Sequence, residues 1–273
     1  MLRGYYTAAS GMKTQQRRQD TLSNNIANAQ TPGFKQDQAT VRAFPEHLVQ
    51  RMGESKLPTT RQFKVPFSNN VGPLTTGVYV QETLPDHTQG SLMETGMTTD
   101  VALTNGTLPD ENGALLFTVQ NNDGDVRYTR SGNFTVDGEG FLTNNRGQYV
   151  LADNGEPIFT DGQTFQVSPE GVLEVGGEAI PLQMSYTANH QDLIKDGEDL
   201  FMLEDEGEVV NGRGVAGLNF SVTQGYLESS NVDEGQTMVE MMQAYRLFET
   251  NQQVLRAYDQ SMDIAVNQIG RLT

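Results

Sequence analysis

The chain contains no cysteine and no tryptophan among its 273 residues. Without cysteine it can form no disulfide, no thiol nucleophile and no thiolate zinc site. It also lacks any apolar run close to the ~18 residues that a membrane-spanning helix needs. Its first twenty residues, MLRGYYTAASGMKTQQRRQD, include no continuous apolar region. We therefore expect no transmembrane segment and no cleaved secretory signal.

Basic side chains are scarce in the middle of the chain. The formal net charge is −17, and residues 76–225 carry 5 basic against 24 acidic side chains. Residues 1–75 carry 10 basic and 4 acidic side chains, while residues 226–273 carry 3 and 7. An acidic middle repels phosphates and argues against a nucleic-acid partner. The opposite signs of the two ends favour their association.

The C-terminal segment has the clearest periodicity. Nine positions step by four and three without a break, and seven of them are apolar, which is typical of a heptad helix. We expect this helix to run from Asp233 to Leu272, ~60 Å at 1.5 Å per residue. Ser229, Ser230 and Asn231 precede it as capping candidates. The nine positions are Met241, Tyr245, Phe248, Gln252, Leu255, Asp259, Met262, Val266 and Ile269.

The N-terminal segment follows the same step more weakly. Its positions are Leu2, Tyr5, Ala9, Met12, Gln16, Gln19, Ser23 and Ile26, with Leu22 beside them. This helix has too little apolar surface to be stable alone. A homodimeric coiled coil of C-terminal helices is one alternative, but pairing of the two terminal helices within one chain is favoured by their opposite charges.

The two ends flank a different composition. Residues 36–76 include four prolines and scattered basic residues, and we expect an extended or irregular arm there, either lying over adjacent subunits or acting as a flexible linker. Residues 77–225 alternate short apolar runs with Asn/Asp-Gly turns, the pattern of β-hairpins. The predicted fold is therefore α+β: residues 1–35 and 226–273 form a discontinuous, coiled-coil-like helical domain, and residues 77–225 form a central all-β domain of antiparallel hairpins.

No set of residues in the sequence supports catalysis. A calcium loop beginning at Asn121 would need glycine at its sixth position and glutamate at its twelfth, but Val126 and Gly132 stand there. The three histidines occur in unrelated contexts, and a solvated surface explains the paired carboxylates. We predict a protein that is not an enzyme, with no catalytic residue, cofactor or metal.

The helical opening ends in SNNIANAQTPGFK, where Pro32 and Gly33 stop any helix. This stretch resembles the N-terminal signature of the flagellar basal-body rod and hook family. The segment GYLESSNVDEG before the C-terminal helix resembles that family's C-terminal module, and VRYTRSGNFTVDGEGFL resembles its β-domain motif. The signature positions are Asn25, Ile26, Ala27, Asn28, Thr31, Gly33, Phe34 and Lys35. Within the family, the chain looks most similar to the distal-rod-like proteins of Gram-positive flagella.

The resemblance implies a structural component of the bacterial flagellar basal body that self-assembles through its terminal helices into a tubular drive shaft for motility. It also implies export, without cleavage, through the flagellar type III apparatus to a place outside the cytoplasmic membrane. The implied partners are further copies of the chain and neighbouring rod and hook proteins. The sequence alone leaves open two alternatives: a secreted acidic β-domain enzyme or glycan binder, and a cap or export accessory protein.

Two sets of residues are predicted to carry this function. The first forms the assembly interface on the terminal helices, and the second forms the corner where the chain leaves the first helix. The expected interface residues are Leu2, Tyr5, Ala9, Met12, Leu22, Asn25, Ile26, Asn28, Met241, Tyr245, Phe248, Leu255, Met262, Val266 and Ile269. The expected corner residues are Thr31, Pro32, Gly33, Phe34 and Lys35.

Overall fold

The structure, a computed structural model, describes residues 2–56, 64–110, 112–121, 123–197, 199–203 and 209–269. A long helix lies at each end of the sequence, and the strands come between them. Helix α1 spans Leu2–Ala27 and helix α2 spans Glu234–Ile264, continuing as a π-helical turn over Ala265–Ile269. The predicted α+β class is confirmed: the helices at the two ends of the chain pack together, and the middle of the chain is built from antiparallel β-sheets. Within these described ranges, no helix is long and apolar enough to cross a membrane.

In the described residues, twenty strands lie between the helices. The first ten are β1 (Asp37–Ala43), β2 (His47–Lys56), β3 (Lys64–Leu74), β4 (Val78–Pro85), β5 (Leu92–Glu94), β6 (Val101–Asn105), β7 (Ala114–Gln120), β8 (Val126–Thr129), β9 (Phe134–Val136) and β10 (Leu142–Asn144). The others are β11 (Tyr149–Val150), β12 (Phe165–Val167), β13 (Val172–Val175), β14 (Glu178–Pro181), β15 (Met184–Thr187), β16 (Leu193–Lys195), β17 (Leu200–Leu203), β18 (Val210–Asn211), β19 (Phe220–Gln224) and β20 (Tyr226–Glu228).

The chain divides into two compact units. The helical unit comprises Met1–Ser23, Ala39–Thr83 and Met238–Thr273, and the β unit comprises Asn24–Gln38 and Leu84–Thr237. In the helical unit, strand β1 pairs with β4, and β2 pairs with β3 as a long antiparallel hairpin. These strands occupy most of the segment for which the sequence predicted an extended arm. The hydroxyl of Thr14 donates to the carbonyl of Val78 at 3.1 Å and ties α1 to β4.

In the helical unit α1 and α2 run antiparallel. Gly4 on α1 faces the ring of Tyr258 on α2. Seven residues further along α1, Gly11 faces the side-chain amide of Asn251, which precedes Tyr258 by seven residues on α2. Seven-residue steps on both helices are the spacing of a coiled-coil seam. Arg18 and Glu240 add an ion pair at 3.1 Å, but both side chains are about one-third exposed, so this pair contributes little.

On α1 the buried line lies one residue before the line that apolar periodicity picks out, whereas on α2 it shares every second position with that line. Ala8 and Leu22 are buried on α1, and Ala244 is buried on α2, whereas Tyr245 remains 59% exposed. Gly4, Ala8 and Gly11 on α1 and Ala244 on α2 are small, which lets the two helix axes approach closely there. Large side chains such as Phe248 and Leu255 also lie on the line, while Tyr245 and Val266 lie along its flank. The buried or half-buried line runs through Gly4, Ala8, Gly11, Gln15, Arg18 and Leu22 on α1, and through Met241, Ala244, Phe248, Asn251, Leu255, Tyr258, Met262 and Ala265 on α2.

The β unit is built around strand β7, whose residues Ala114–Val119 are all buried. Strand β7 pairs with β8, β11 and β15 inside a nine-stranded antiparallel sheet. Strands β12, β13 and β14 form a second sheet, while β19 pairs with β6 and β20 with β5. Phe117, Phe134 and Leu173 lie in one continuous apolar core. The antiparallel sheets predicted for the central region are confirmed, and β7 and β8 pair as one of its hairpins.

Candidate functional site

The end of α1 is organised by three polar side chains. The amide of Asn28 donates to the carbonyl of Asn24 at 3.1 Å, and the hydroxyl of Thr31 donates to the side-chain oxygen of Asn28 at 3.2 Å. The side chain of Asn25 donates to the carbonyl of Asp37 and accepts from its amide, both at 2.9 Å. Asn28 and Thr31 therefore form a local side-chain network after the helix, and Asn25 holds the returning chain against α1.

Gly33 makes the turn that follows. Its φ of 74° lies in the left-handed region, and a Cβ there would stand 2.6 Å from the Cα of Ser131. The amide of Gly33 donates to the carbonyl of Glu228 at 2.8 Å. Two requirements thus fix glycine at this position, the left-handed backbone and the close approach of the segment after β8. Pro32 is half-buried beside it.

Phe34 anchors the chain after the turn. Its side chain is completely buried, and the ammonium of Lys195 lies 3.9 Å from the centre of its ring. The same ammonium donates to the carboxylate of Asp37 at 3.0 Å. A cation over an aromatic face gains up to about 2 kcal/mol when it is desolvated. Strand β16, which carries Lys195, is thereby joined to the segment that leaves α1.

Next to Phe34 lies a buried triad of charges formed by Lys35, Arg130 and Glu228. One carboxylate oxygen of Glu228 accepts from the Lys35 ammonium at 2.6 Å, and the other accepts from the Nε of Arg130 at 2.6 Å. All three side chains are at most 3% exposed. Both cations also bond to backbone carbonyls: Lys35 donates to that of Thr88 at 2.7 Å and Arg130 to that of Leu103 at 2.7 Å.

The triad keeps Glu228 ionised. Burial alone would raise the pKa of Glu228, but Arg130 and Lys35 outweigh it and hold the pKa below its usual value. The arrangement places two cations around one anion, so removing the carboxylate would leave two buried like charges without compensation. Breaking such a group by removing one partner costs about 3–5 kcal/mol.

Asn231 connects the same region to the start of α2. Its side-chain oxygen accepts from the amide of Gln36 at 2.7 Å, and its nitrogen donates to the carbonyl of Asp86 at 2.8 Å. Two residues later, the carboxylate of Asp233 accepts from the amide of Gln236 at 2.9 Å and caps α2. The polar sequence before α2 thus orders both the chain that leaves α1 and the helix that follows.

A histidine pair lies close to the triad. The ring of His87 packs 5.1 Å from Phe201 and 5.2 Å from His190. Burial, and after it the charges of His190, Lys35 and Arg130, lower the pKa of His87 to about 3, with Asp86 opposing them. The Nε2 atom of His87 is buried and has no hydrogen-bond partner among the described residues. His87 is therefore neutral at physiological pH.

The three sequence signatures meet at this triad. Lys35 closes TPGFK, Arg130 lies in YTRSGNF, and Glu228 lies in GYLESSN. Sequence reasoning placed Lys35 at the corner but did not single out Arg130, Glu228, Asn231 or Lys195. Arg130, Glu228 and Asn231 lie within the motifs quoted above, but the sequence around each motif does not indicate that these residues come together in the fold.

The residues expected at the assembly interface fall into groups that the structure separates. Leu22, Asn25 and Asn28 are buried, while Tyr245 and Val266 are exposed. Corner residues Gly33, Phe34 and Lys35 are buried in the β unit. The half-buried members are Tyr5, Ala9, Met12, Ile26, Thr31, Pro32, Met241, Phe248, Leu255 and Met262. The side chains of Leu2 and Ile269 lie outside what the structure describes.

Two of the hollows on the described part of the helical unit are wide and mainly apolar. A groove of about 590 Å³, called here the methionine groove, is lined by Gln19, Asp20, Ser23, Met241, Met242 and Tyr245. A second hollow of about 560 Å³, called here the basic surface, is lined by Arg3, Tyr6, Ala9, Lys13, Phe44 and Thr76. Both surfaces expose large apolar side chains, such as Tyr6 at 64% and Met242 at 49%.

Comparison with known protein families gives matches near the start, in the middle and near the end of the chain. The family described as "Flagella basal body rod protein" matches residues 6–35, "Flagellar hook protein FlgE/F/G D1 domain" matches residues 112–175, and "Flagellar basal body rod FlgEFG protein C-terminal" matches residues 223–269. These matches contain Lys35, Arg130 and Glu228 respectively.

Whole-length relatives agree with these matches. The chain is 42% identical to the flagellar hook-basal body complex protein FlhO of Bacillus subtilis, over 100% of both chains. It is 32% identical to the flagellar basal-body rod protein FlgG of Borreliella burgdorferi, over 98% of both chains. It is 29% identical to the rod protein FlgF of Caulobacter vibrioides, over 98% of this chain and 96% of that one.

The class defined by this fold and these matches is a structural protein of the flagellar basal body rather than an enzyme. The chain belongs to the flagellar basal-body rod and hook-basal-body family. The resemblance drawn from the three motifs is confirmed. Membership in this family implies assembly with other rod proteins.

Proposed function

We propose that this chain is a distal-rod-like axial subunit, which assembles through its terminal helices into a tubular shaft for motility. The observation that supports this most directly concerns the helical unit. There α1 and α2 pack against each other along one seam, and large apolar side chains on both sides of that seam stay exposed to solvent. Met238, Met242 and Tyr245 lie on one face of α2 and are 49–59% exposed, and Leu247 on the other flank is 50% exposed. Contiguous exposed apolar surface of this kind is typical of interaction sites.

The proposed partners are further copies of the chain and the neighbouring rod and hook proteins. Heterologous head-to-tail contacts between copies generate open helical assemblies, which a shaft requires. We propose that the subunit reaches its place through the flagellar type III apparatus, using an uncleaved N-terminal signal. Ordering of α1 would then be coupled to its association with α2 and with neighbouring subunits.

The corner at Thr31–Lys35 serves this assembly by releasing the chain from α1 at a fixed place. Gly33 adopts a left-handed backbone, and Phe34 is buried immediately after it. Replacing Pro32 and Gly33 together by alanine is expected to abolish rod assembly and motility, because the turn could no longer form without strain. Unchanged motility in that variant would show that the corner is unnecessary.

Deletion of the gene tests the proposed function as a whole. We expect the deletion strain to lose hook and filament while its membrane base remains intact, and we expect rescue only by the full-length chain. A version lacking residues 233–273 is the matched comparison, because it retains nearly all of the β unit but has no α2. Normal flagella in the deletion strain would overturn the axial role, and rescue by the shortened chain would show that α2 is dispensable.

A further inference from the structure

The two open surfaces of the helical unit differ in chemistry. On the basic surface, Arg3 and Lys13 flank the exposed rings of Tyr6 and Phe44. Within the described part of the chain, neither Arg3 nor Lys13 has an ion-pair partner. The basic surface therefore presents aromatic side chains surrounded by unpaired positive charge.

The methionine groove offers the complementary features. Met241 and Met242 line it, together with Asp20, whose carboxylate is unpaired among the described residues. Arg246 also lines the groove and adds a positive charge, so Asp20 is the one acidic side chain among the lining residues.

The two surfaces lie too far apart to meet within one chain. Tyr6 and Asp20 are fourteen residues apart on α1, which corresponds to ~21 Å along a helix. The antiparallel register places the first turns of α1 beside Tyr258 and its last turns beside Glu240. The basic surface therefore lies at one end of the helical pair and the methionine groove lies toward the other end.

We infer that the methionine groove of one copy receives the basic surface of the next copy. Tyr6 enters over Met242, and Lys13 approaches Asp20. The contact is heterologous, because each copy uses one surface for the preceding neighbour and the other for the following neighbour. Such contacts propagate without closing. This inference rests on the proposed function and specifies the residues that join successive copies.

Cysteine cross-linking tests this contact directly, because the chain contains no cysteine of its own. A Tyr6→Cys, Met242→Cys double variant is expressed in the deletion strain and treated with a short bismaleimide. We expect a ladder of covalent dimers, trimers and longer products. A mixture of the two single variants should give dimers only, since each chain then carries one reactive surface. The pair Ala9→Cys and Ser23→Cys repeats the test with small side chains at the same two surfaces, should Tyr6→Cys prevent assembly.

Leu247→Cys in place of Met242→Cys is the matched control. Leu247 and Met242 are similarly exposed, at 50% and 49%. Leu247, however, points in a direction about 140° away from Met242 around the axis of α2. Cross-linking of the control as strong as that of the double variant would overturn the contact, as would dimers formed by either single variant alone. Absence of a ladder for both pairs, in cells whose motility is restored, would overturn the contact and leave the axial role standing. Normal flagella in the uncomplemented deletion strain would instead remove the proposed function itself.

Discussion

Glu228 is the residue on which the buried triad depends. Replacing it by glutamine keeps the shape of the side chain but removes the only negative charge between Lys35 and Arg130. We expect Glu228→Gln to lower the free energy of unfolding by about 3–5 kcal/mol. Urea unfolding followed by tyrosine fluorescence measures this, because the chain has no tryptophan. Glu139→Gln, at an exposed position of the same unit, should change stability by less than about 0.5 kcal/mol. Equal effects of the two substitutions would contradict the role assigned to the triad.

His87 makes the stability of the β unit depend on pH. Its pKa in the folded chain is about 3, below the ordinary value of 6.5. The unfolded chain therefore binds more protons between these values, so the stabilisation is complete above pH 6.5 and is lost as the pH falls toward 3. The loss is at most about 1.4 kcal/mol for each pH unit.

His87→Phe separates this effect from the carboxylates, because phenylalanine retains the packing on Phe201 but does not titrate. We expect the native chain to lose more stability than the variant between pH 6.5 and 4.5, a range above the ordinary pKa of glutamate. Urea midpoints at several pH values within this range provide the comparison. Parallel curves for the two proteins would rule out His87 as the source of the pH dependence.

Individual residues also show where the sequence was informative. Pro32-Gly33 predicted a turn after α1, and Gly33 has the left-handed backbone that only glycine adopts freely. The partners of Lys35 could not be predicted, because Arg130 and Glu228 are 95 and 193 residues away in the chain. Local pattern carries no information about such pairings. Charged residues inside strand-like segments are the signal that could have suggested them, since buried charges must be paired.

At the level of elements, the seam between α1 and α2 depends on small side chains. Ala244 is 1% exposed at the seam, while the neighbouring Gln243 is exposed. We expect Ala244→Leu to cost about 1–3 kcal/mol, because the added atoms force the helices apart. Gln243→Leu adds a leucine at an adjacent position and should be nearly neutral. Thermal unfolding followed by circular dichroism at a helix wavelength distinguishes them, and a neutral Ala244→Leu would show that the seam is loosely packed.

The same seam explains why apolar periodicity predicts where the helices lie in the sequence but does not correctly predict which of their residues form the contact between them. A pattern search counts large apolar residues, so it selected Tyr245 and Val266, which are 59% and 72% exposed. Gly4 and Gly11 carry no apolar signal, yet they allow the close approach of Tyr258 and Asn251. Strand hairpins were easier to predict, because alternation and Asn/Asp-Gly turns are both local features.

The outer strand β12 is protected by one side chain. Gln224 donates to the carbonyl of Phe165 at 3.0 Å and accepts from the amide of Val167 at 3.1 Å, so its amide replaces a neighbouring strand. We expect Gln224→Ala to cost about 1 kcal/mol and to increase aggregation, since an uncovered strand edge can pair with another chain. Light scattering on heating measures the second effect. Gln166→Ala, on the exposed face of β12, is the control, and equal scattering from both variants would contradict the protective role.

At the scale of the whole molecule, the division into two units separates stability from assembly. The β unit includes its own stretch of the N-terminal segment, Asn24–Gln38, and the chain up to Thr237. Every member of the triad and the cap of α2 at Asp233 therefore belong to the β unit. The terminal helices beyond these limits belong to the helical unit, which carries both open surfaces. Loss of a terminal helix should therefore impair assembly without unfolding the β unit.

Two N-terminal truncations test this division. Removal of residues 1–23 takes away most of α1 but keeps Phe34 and Lys35, so we expect the urea midpoint of the β unit to stay unchanged. Removal of residues 1–37 also deletes the buried ring and one cation of the triad, and it uncovers the pocket that Phe34 fills. Because deleting a buried aromatic side chain alone costs about 3–5 kcal/mol, this shorter chain should be strongly destabilised. Tyrosine fluorescence reports on the β unit through Tyr128, Tyr149 and Tyr186. If the two truncations unfolded at the same urea concentration, the corner would contribute nothing to the β unit, and its sequence signature would have to serve assembly alone.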